Sequence, residues 1–108
     1  DRPASRSHVK ARLTQRASND LERVTKWWLA NTGGGPAELF DELEAALRLL
    51  ERMPEAGNEY ASSYGRPVFR ILLRKSQFHV YYRLDPGVVR VVTIRSVRRE
   101  RGPRFYAG

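Results

Sequence analysis

Apolar positions recur along this chain with two periods, and each period predicts its own elements. HVKARLT, residues 8–14, sets Val9, Ala11 and Leu13 against Lys10 and Arg12, which predicts a short strand. The period then lengthens. Ser18 or Asn19 offers an N-cap before Asp20 and Glu22, and Leu21, Val24 and Trp28 recur at helical spacing to a predicted end near Asn31. A second helix is predicted from Gly35-Pro36, with Glu38, Asp41 and Glu42 near its positive end. Its stripe is Leu39, Phe40, Leu43, Ala46, Leu47, Leu50 and Met53, and Pro54 stops it. Glu44 and Arg48 form an i,i+4 pair on its surface. The short TGGGP link implies an antiparallel helical hairpin. It lacks the Lys-Ser/Thr ending of a phosphate-binding loop and reads as a turn.

Residues 55–67, EAGNEYASSYGRP, read as a polar loop. Beyond it the period returns to two. Val68 to Arg74 and Phe78 to Leu84 alternate, Asp85-Pro86-Gly87 forms a hairpin turn, and Val88 to Val97 is Val/Ile-rich on both faces, as a central strand would be. A helical hairpin with an apolar stripe needs a sheet face to cover. Phe69, Ile71, Leu73, Phe78, Val80, Tyr82 and Leu84 supply one. The fold class expected is therefore α+β: an N-terminal strand and a helical hairpin packed on one face of a mainly antiparallel sheet. The opposite face collects Arg70, Arg74, His79, Tyr81 and Arg83, with Arg95, Arg98 and Arg99 at or past the end of the last strand. Trp27 and Trp28, about 100° apart on a helix, should split between core and surface, and an exposed one would be a docking anchor.

With 108 residues the chain fits one domain, spanning 1–108, with residues 1–7 and 105–108 expected to be flexible ends. There is no cysteine, hence no disulfide framework and no thiolate metal site. No apolar run is long enough to span a membrane, and DRPASRSHVK lacks the apolar region of a secretory signal. The first residue is not Met, so the natural start is expected to be trimmed or replaced. Charge is uneven. Residues 1–65 hold nine Lys/Arg and ten Asp/Glu, whereas residues 66–108 hold eleven and two. That bias points the second half at an acidic or nucleic-acid partner. His8 and His79 are the only histidines, and no metal site or cofactor site is visible.

A strand, a helical hairpin, then VFRILLRKSQFHVYYRLD, a Val-rich strand and VRRERGP together resemble the RelE/ParE superfamily of type II toxin–antitoxin toxins. The resemblance covers roughly residues 8 to 104. Arg-x-x-x-Arg followed by Phe-His-x-Tyr-Tyr-Arg carries it best, and it is closest to the ParE-like, plasmid-stabilisation branch. It implies a bacterial, cytoplasmic toxin that inhibits growth and is neutralised in a hetero-oligomer with a cognate antitoxin. RelE-like members cut mRNA on the ribosome, whereas ParE-like members poison DNA gyrase.

Cleavage at a 2′-hydroxyl needs a base, cations for the phosphate and an acid for the leaving oxygen. By resemblance to the nucleases, Arg70 and Arg99 match basic family positions. Leu72 stands where a second cation is expected, and His79 replaces a central Arg. The C-terminal phenol falls near Tyr106 if a shift is allowed, and otherwise the position is Phe105. If the protein were a nuclease, a metal-independent one, Arg70, His79, Arg99 and Tyr106 would be its set. Otherwise no catalytic residue is expected, and Arg70, Arg74, His79, Tyr81, Arg83, Arg95, Arg98 and Arg99 form a surface for the target or antitoxin. Plainer roles stand beside these: cross-strand packing for His79, exposed ion pairs for the arginines, and a core position for Tyr82 with its hydroxyl at the rim. A basic nucleic-acid module that stacks bases on Tyr81 and His79 also accounts for the charge, but not for the whole-chain resemblance.

Overall fold

The computed structural model describes residues 9–32, 36–63 and 65–97. Strand β1 (Lys10–Leu13) leads into helices α1 (Gln15–Thr32) and α2 (Ala37–Arg52), and strands β2 (Asn58–Ser63), β3 (Arg66–Leu73), β4 (Phe78–Asp85) and β5 (Val88–Ser96) follow. The five strands form one sheet in the order β1-β5-β4-β3-β2. Every pairing is antiparallel except β1 on β5. The expected α+β class and mainly antiparallel sheet are both present.

Both helices bury apolar stripes on the same sheet face. Leu39, Leu43, Ala46 and Leu50 of α2 and Ala17 of α1 join Leu73, Phe78, Val80, Tyr82, Val89, Val91 and Ile94 in one core. Leu21, Val24, Phe69, Ile71 and Leu84 pack around it. The periods assign Leu21, Val24, Leu39, Leu43, Ala46, Leu50, Phe69, Ile71, Leu73, Phe78, Val80, Tyr82 and Leu84 to the interior, whereas Ala17, Val89, Val91 and Ile94 are added by the structure. Phe40 and Met53, read as part of the α2 stripe, are exposed instead, because the buried arc follows Leu39, Leu43, Ala46 and Leu50.

Helix α1 starts three residues before the earlier of the two proposed caps, at Gln15. Thr14 is its cap: the Thr14 hydroxyl accepts the Ala17 amide at 3.2 Å and donates to the Val92 carbonyl at 3.0 Å. Asp20 therefore lies inside the helix and does not offset its dipole at the first turn. It is buried, and its carboxylate accepts hydrogen bonds from the Thr93 hydroxyl and, at 3.1 Å, from the Ile94 amide. Strand β1 ends opposite Val91, so among the described residues the β5 edge beyond it has no strand neighbour on that side. Asp20 supplies the acceptor that this edge would otherwise lack.

The larger correction is β2. Asn58–Ser63 lies within the stretch read as a polar loop, yet it pairs with β3 as an edge strand. Pairing slips between Glu59 and Ala61, which makes Tyr60 a bulged residue. The entry to β2 is fixed from the core. The Tyr82 hydroxyl accepts the Gly57 amide and donates to the Pro54 carbonyl, both at 2.9 Å. A Cβ at position 57 would meet that hydroxyl at 2.6 Å and the Arg70 carbonyl at 2.8 Å, so only glycine fits. Glu42 of α2 holds the turn between β3 and β4 by accepting the Lys75 and Ser76 amides at 2.7 Å. Burial raises its carboxyl pKa, but the two amides and the Ser76 hydroxyl outweigh that and hold it below the ordinary value.

Candidate functional site on the helix-free sheet face

With both helices on one face, strand alternation assigns the other. Arg70, His79, Tyr81 and Arg83 share it, as the pleat requires, and Arg95, expected at or past the end of the last strand, joins them from within β5. Arg74 does not, because β3 ends at Leu73 and Arg74 lies exposed in the following turn, its carbonyl accepting a bond from Gln77. Arg98, Arg99 and Tyr106 lie outside the described residues, as do both predicted flexible ends.

The face is built around Tyr81, which is buried rather than presented to solvent. Tyr60 covers it edge-on, with ring centroids 4.9 Å apart, and the Arg70 guanidinium lies 4.8 Å above the Tyr60 ring. His79 stands edge-on to Tyr81 at 6.0 Å. Burial pushes the Tyr81 phenol up, against a hydrogen bond from Arg70. Burial and then the nearby Arg70 charge hold the His79 imidazole below its ordinary value. At neutral pH His79 is therefore a neutral ring wedged between a cation and a phenol. A base-stacking platform of Tyr81 and His79 is not available, since Tyr81 has no free face to offer.

Register completes the picture. Leu72 lies directly opposite His79, and Arg95 lies opposite His79 on the other side. Arg12, Arg90 and Arg83 share the face toward its other end, with Lys10 beside them on β1. Asp85 bonds Arg90 at 2.7 Å and also pairs with Arg66. The Arg90 bond, outweighing partial burial, and the Arg66 charge hold the Asp85 carboxyl below its ordinary value. Tyr60, Arg66 and Arg90 were not picked out by sequence reasoning. The alternation Val88-x-Arg90 was signal enough for Arg90, whereas Tyr60 needed the unseen strand β2. Among the described residues no group of three or more His, Asp or Glu is placed to hold a metal, and no helix is long and apolar enough to cross a membrane.

Two helices on one face of a five-stranded sheet, with arginines crowded on the other, define a small α+β architecture. A solved structure titled "Chromosomal ParDE TA system from P. aeruginosa" shares it with a TM-score of 0.66. That alignment covers 85% of this chain and 99% of the other at 16% identity, a likeness of fold. The family described as "ParE toxin of type II toxin-antitoxin system, parDE" matches residues 11–101. The chain belongs to this family: it is a ParE-type toxin. Comparison with curated proteins gives no significant match.

Proposed function

We propose that this toxin acts in the cytoplasm by binding a DNA topoisomerase, DNA gyrase, and not by cutting RNA. A cognate antitoxin neutralises it, laying an apolar and acidic segment over the exposed hydrophobics of the helices. The observation that carries the mechanism is the cross-strand pair Leu72–His79. Nuclease members of the superfamily are expected to hold cations at both positions. Here one position is a leucine, 40% exposed, and the other an imidazole whose protonation is disfavoured by burial and by Arg70. Losing one transition-state donor typically costs on the order of 10²-fold or more in rate. Losing two side by side leaves little ribosome-dependent cleavage. A binding surface tolerates the same changes, because a few anchors carry most of its energy.

The test pairs a supercoiling assay with gyrase and a translating extract, each given purified toxin. The expected result is gyrase-dependent DNA breaks that persist in His79→Ala and fade when Arg98 and Arg99 are both replaced. Codon-positioned mRNA cuts that vanish in His79→Ala, with supercoiling normal, would make the protein a nuclease.

A further inference from the structure

Strand register sets three guanidinium groups in one row. Arg12 of β1 lies opposite Arg90 of β5, and Arg90 lies opposite Arg83 of β4. Neighbouring strands are about 4.8 Å apart, so the row is about 10 Å wide. Like charges directly opposite in a sheet are destabilising. Asp85 is the one carboxylate among the described strand residues of this face, and Arg66 and Arg90 already share it. Arg12 is exposed, and the Nε of Arg83 is buried without a hydrogen-bond partner among the described residues. The row thus holds more positive charge than its own face neutralises.

We propose that the helix-free sheet face is a docking surface for duplex DNA, with Arg12, Arg90 and Arg83 engaging successive backbone phosphates. The inference goes beyond the gyrase reading and stands without it. Phosphates of one strand recur every 3.4 Å of helix rise, so about three fall within the width of the row. A single strand is the poorer fit. Single-strand sites stack bases on open aromatic rings, and here Tyr81 is buried while Arg70 lies over Tyr60. At the Arg12–Arg90–Arg83 row a protein partner would be expected to find exposed aromatic anchors beside the arginines, since hot spots are enriched in Trp and Tyr as well as Arg. Of the exposed large hydrophobics among the described residues only Leu72 lies on this face, whereas Trp27, Leu29 and Phe40 are on the helices.

The experiment titrates a short fluorescent duplex of arbitrary sequence with the purified full-length chain and reads anisotropy across a salt series. Three phosphate contacts give a slope of log affinity against log salt of about −2.7, which weakens binding about 40-fold between 50 and 200 mM. The Arg12→Ala/Arg83→Gln double variant leaves the Arg90–Asp85 bond intact, and an unchanged urea midpoint shows that it folds. Its slope should be shallower by about 2, Arg12→Lys should keep the parent slope, and Lys26→Ala on α1 should change nothing. Four results would overturn the proposal: no duplex binding at 50 mM salt, an unchanged slope in the double variant, tighter binding of single-stranded DNA, or displacement by polyglutamate as effective as by unlabelled duplex.

Discussion

Single side chains on the basic face do more than their residue type announces. Tyr81 and Tyr82 are adjacent, and alternation sends them to opposite faces, yet both are buried. Tyr82 is covered by the helices, as its place in the apolar pattern implies. Tyr81 is covered by Tyr60, which no period in the sequence connects to it. Asp85 is a second case. It relieves Arg66 and Arg90 on a face that is otherwise cationic, and its folded pKa lies below the unfolded value. The sign follows from that depression: the unfolded chain takes up its proton first. The Asp85 contribution is complete above the unfolded carboxyl pKa of about 4 and is lost as pH falls through the folded value. Urea midpoints of the parent and Asp85→Asn should differ most at neutral pH and converge as pH drops below about 4. A gap that stays constant across that range would show that the ion pairs contribute no pH-dependent stability.

Among the elements, those with strong periods were legible and those made by tertiary context were not. Helix α2 and strands β3, β4 and β5 emerge almost as their apolar patterns draw them. Strand β2, NEYASS, has no alternation and no β-branched residue, and forms because β3 offers an edge and Tyr82 pins Gly57 at its start. Missing that strand also hid the cover over Tyr81, so one gap at this scale produced the error at the smaller one. The start of α1 was misjudged for a related reason. Ser18 and Asn19 are good caps by type, but Thr14 wins because its hydroxyl also bonds β5. Asp20 is then free to lock α1 against the β5 edge. Replacing it by Ala leaves the Ile94 amide and Thr93 hydroxyl without their acceptor, a cost of about 2–4 kcal/mol. Chemical denaturation of Asp20→Ala should show that loss as a lower midpoint with an unchanged m-value. A loss below about 0.5 kcal/mol would mean that the contact is incidental.

For the molecule as a whole, charge and apolar surface are segregated. Cations crowd one sheet face, while Trp27, 58% exposed and edge-on to Trp28 at 6.4 Å, Leu29 and Phe40 stand on the helices. Opposite charges steer encounters over roughly the Debye length, about 8 Å at physiological ionic strength. Association with an acidic antitoxin should therefore slow by about tenfold or more from low to high salt, while Trp27→Ala should act on dissociation. Stopped-flow mixing of the two proteins measures both, and a salt-independent on-rate would remove charge from the account of recognition. The parallel pairing of β1 with β5 carries a consequence of another kind, for synthesis. Thr14, just past β1, and its hydrogen-bond partner Val92 are 78 residues apart, and among the described strands β1 pairs with β5 alone. At about 5–20 residues per second, a ribosome leaves the first strand waiting about 4–16 s for the last. The growing chain cannot close its sheet during that interval, so the five-stranded surface exists only once β5 has been made.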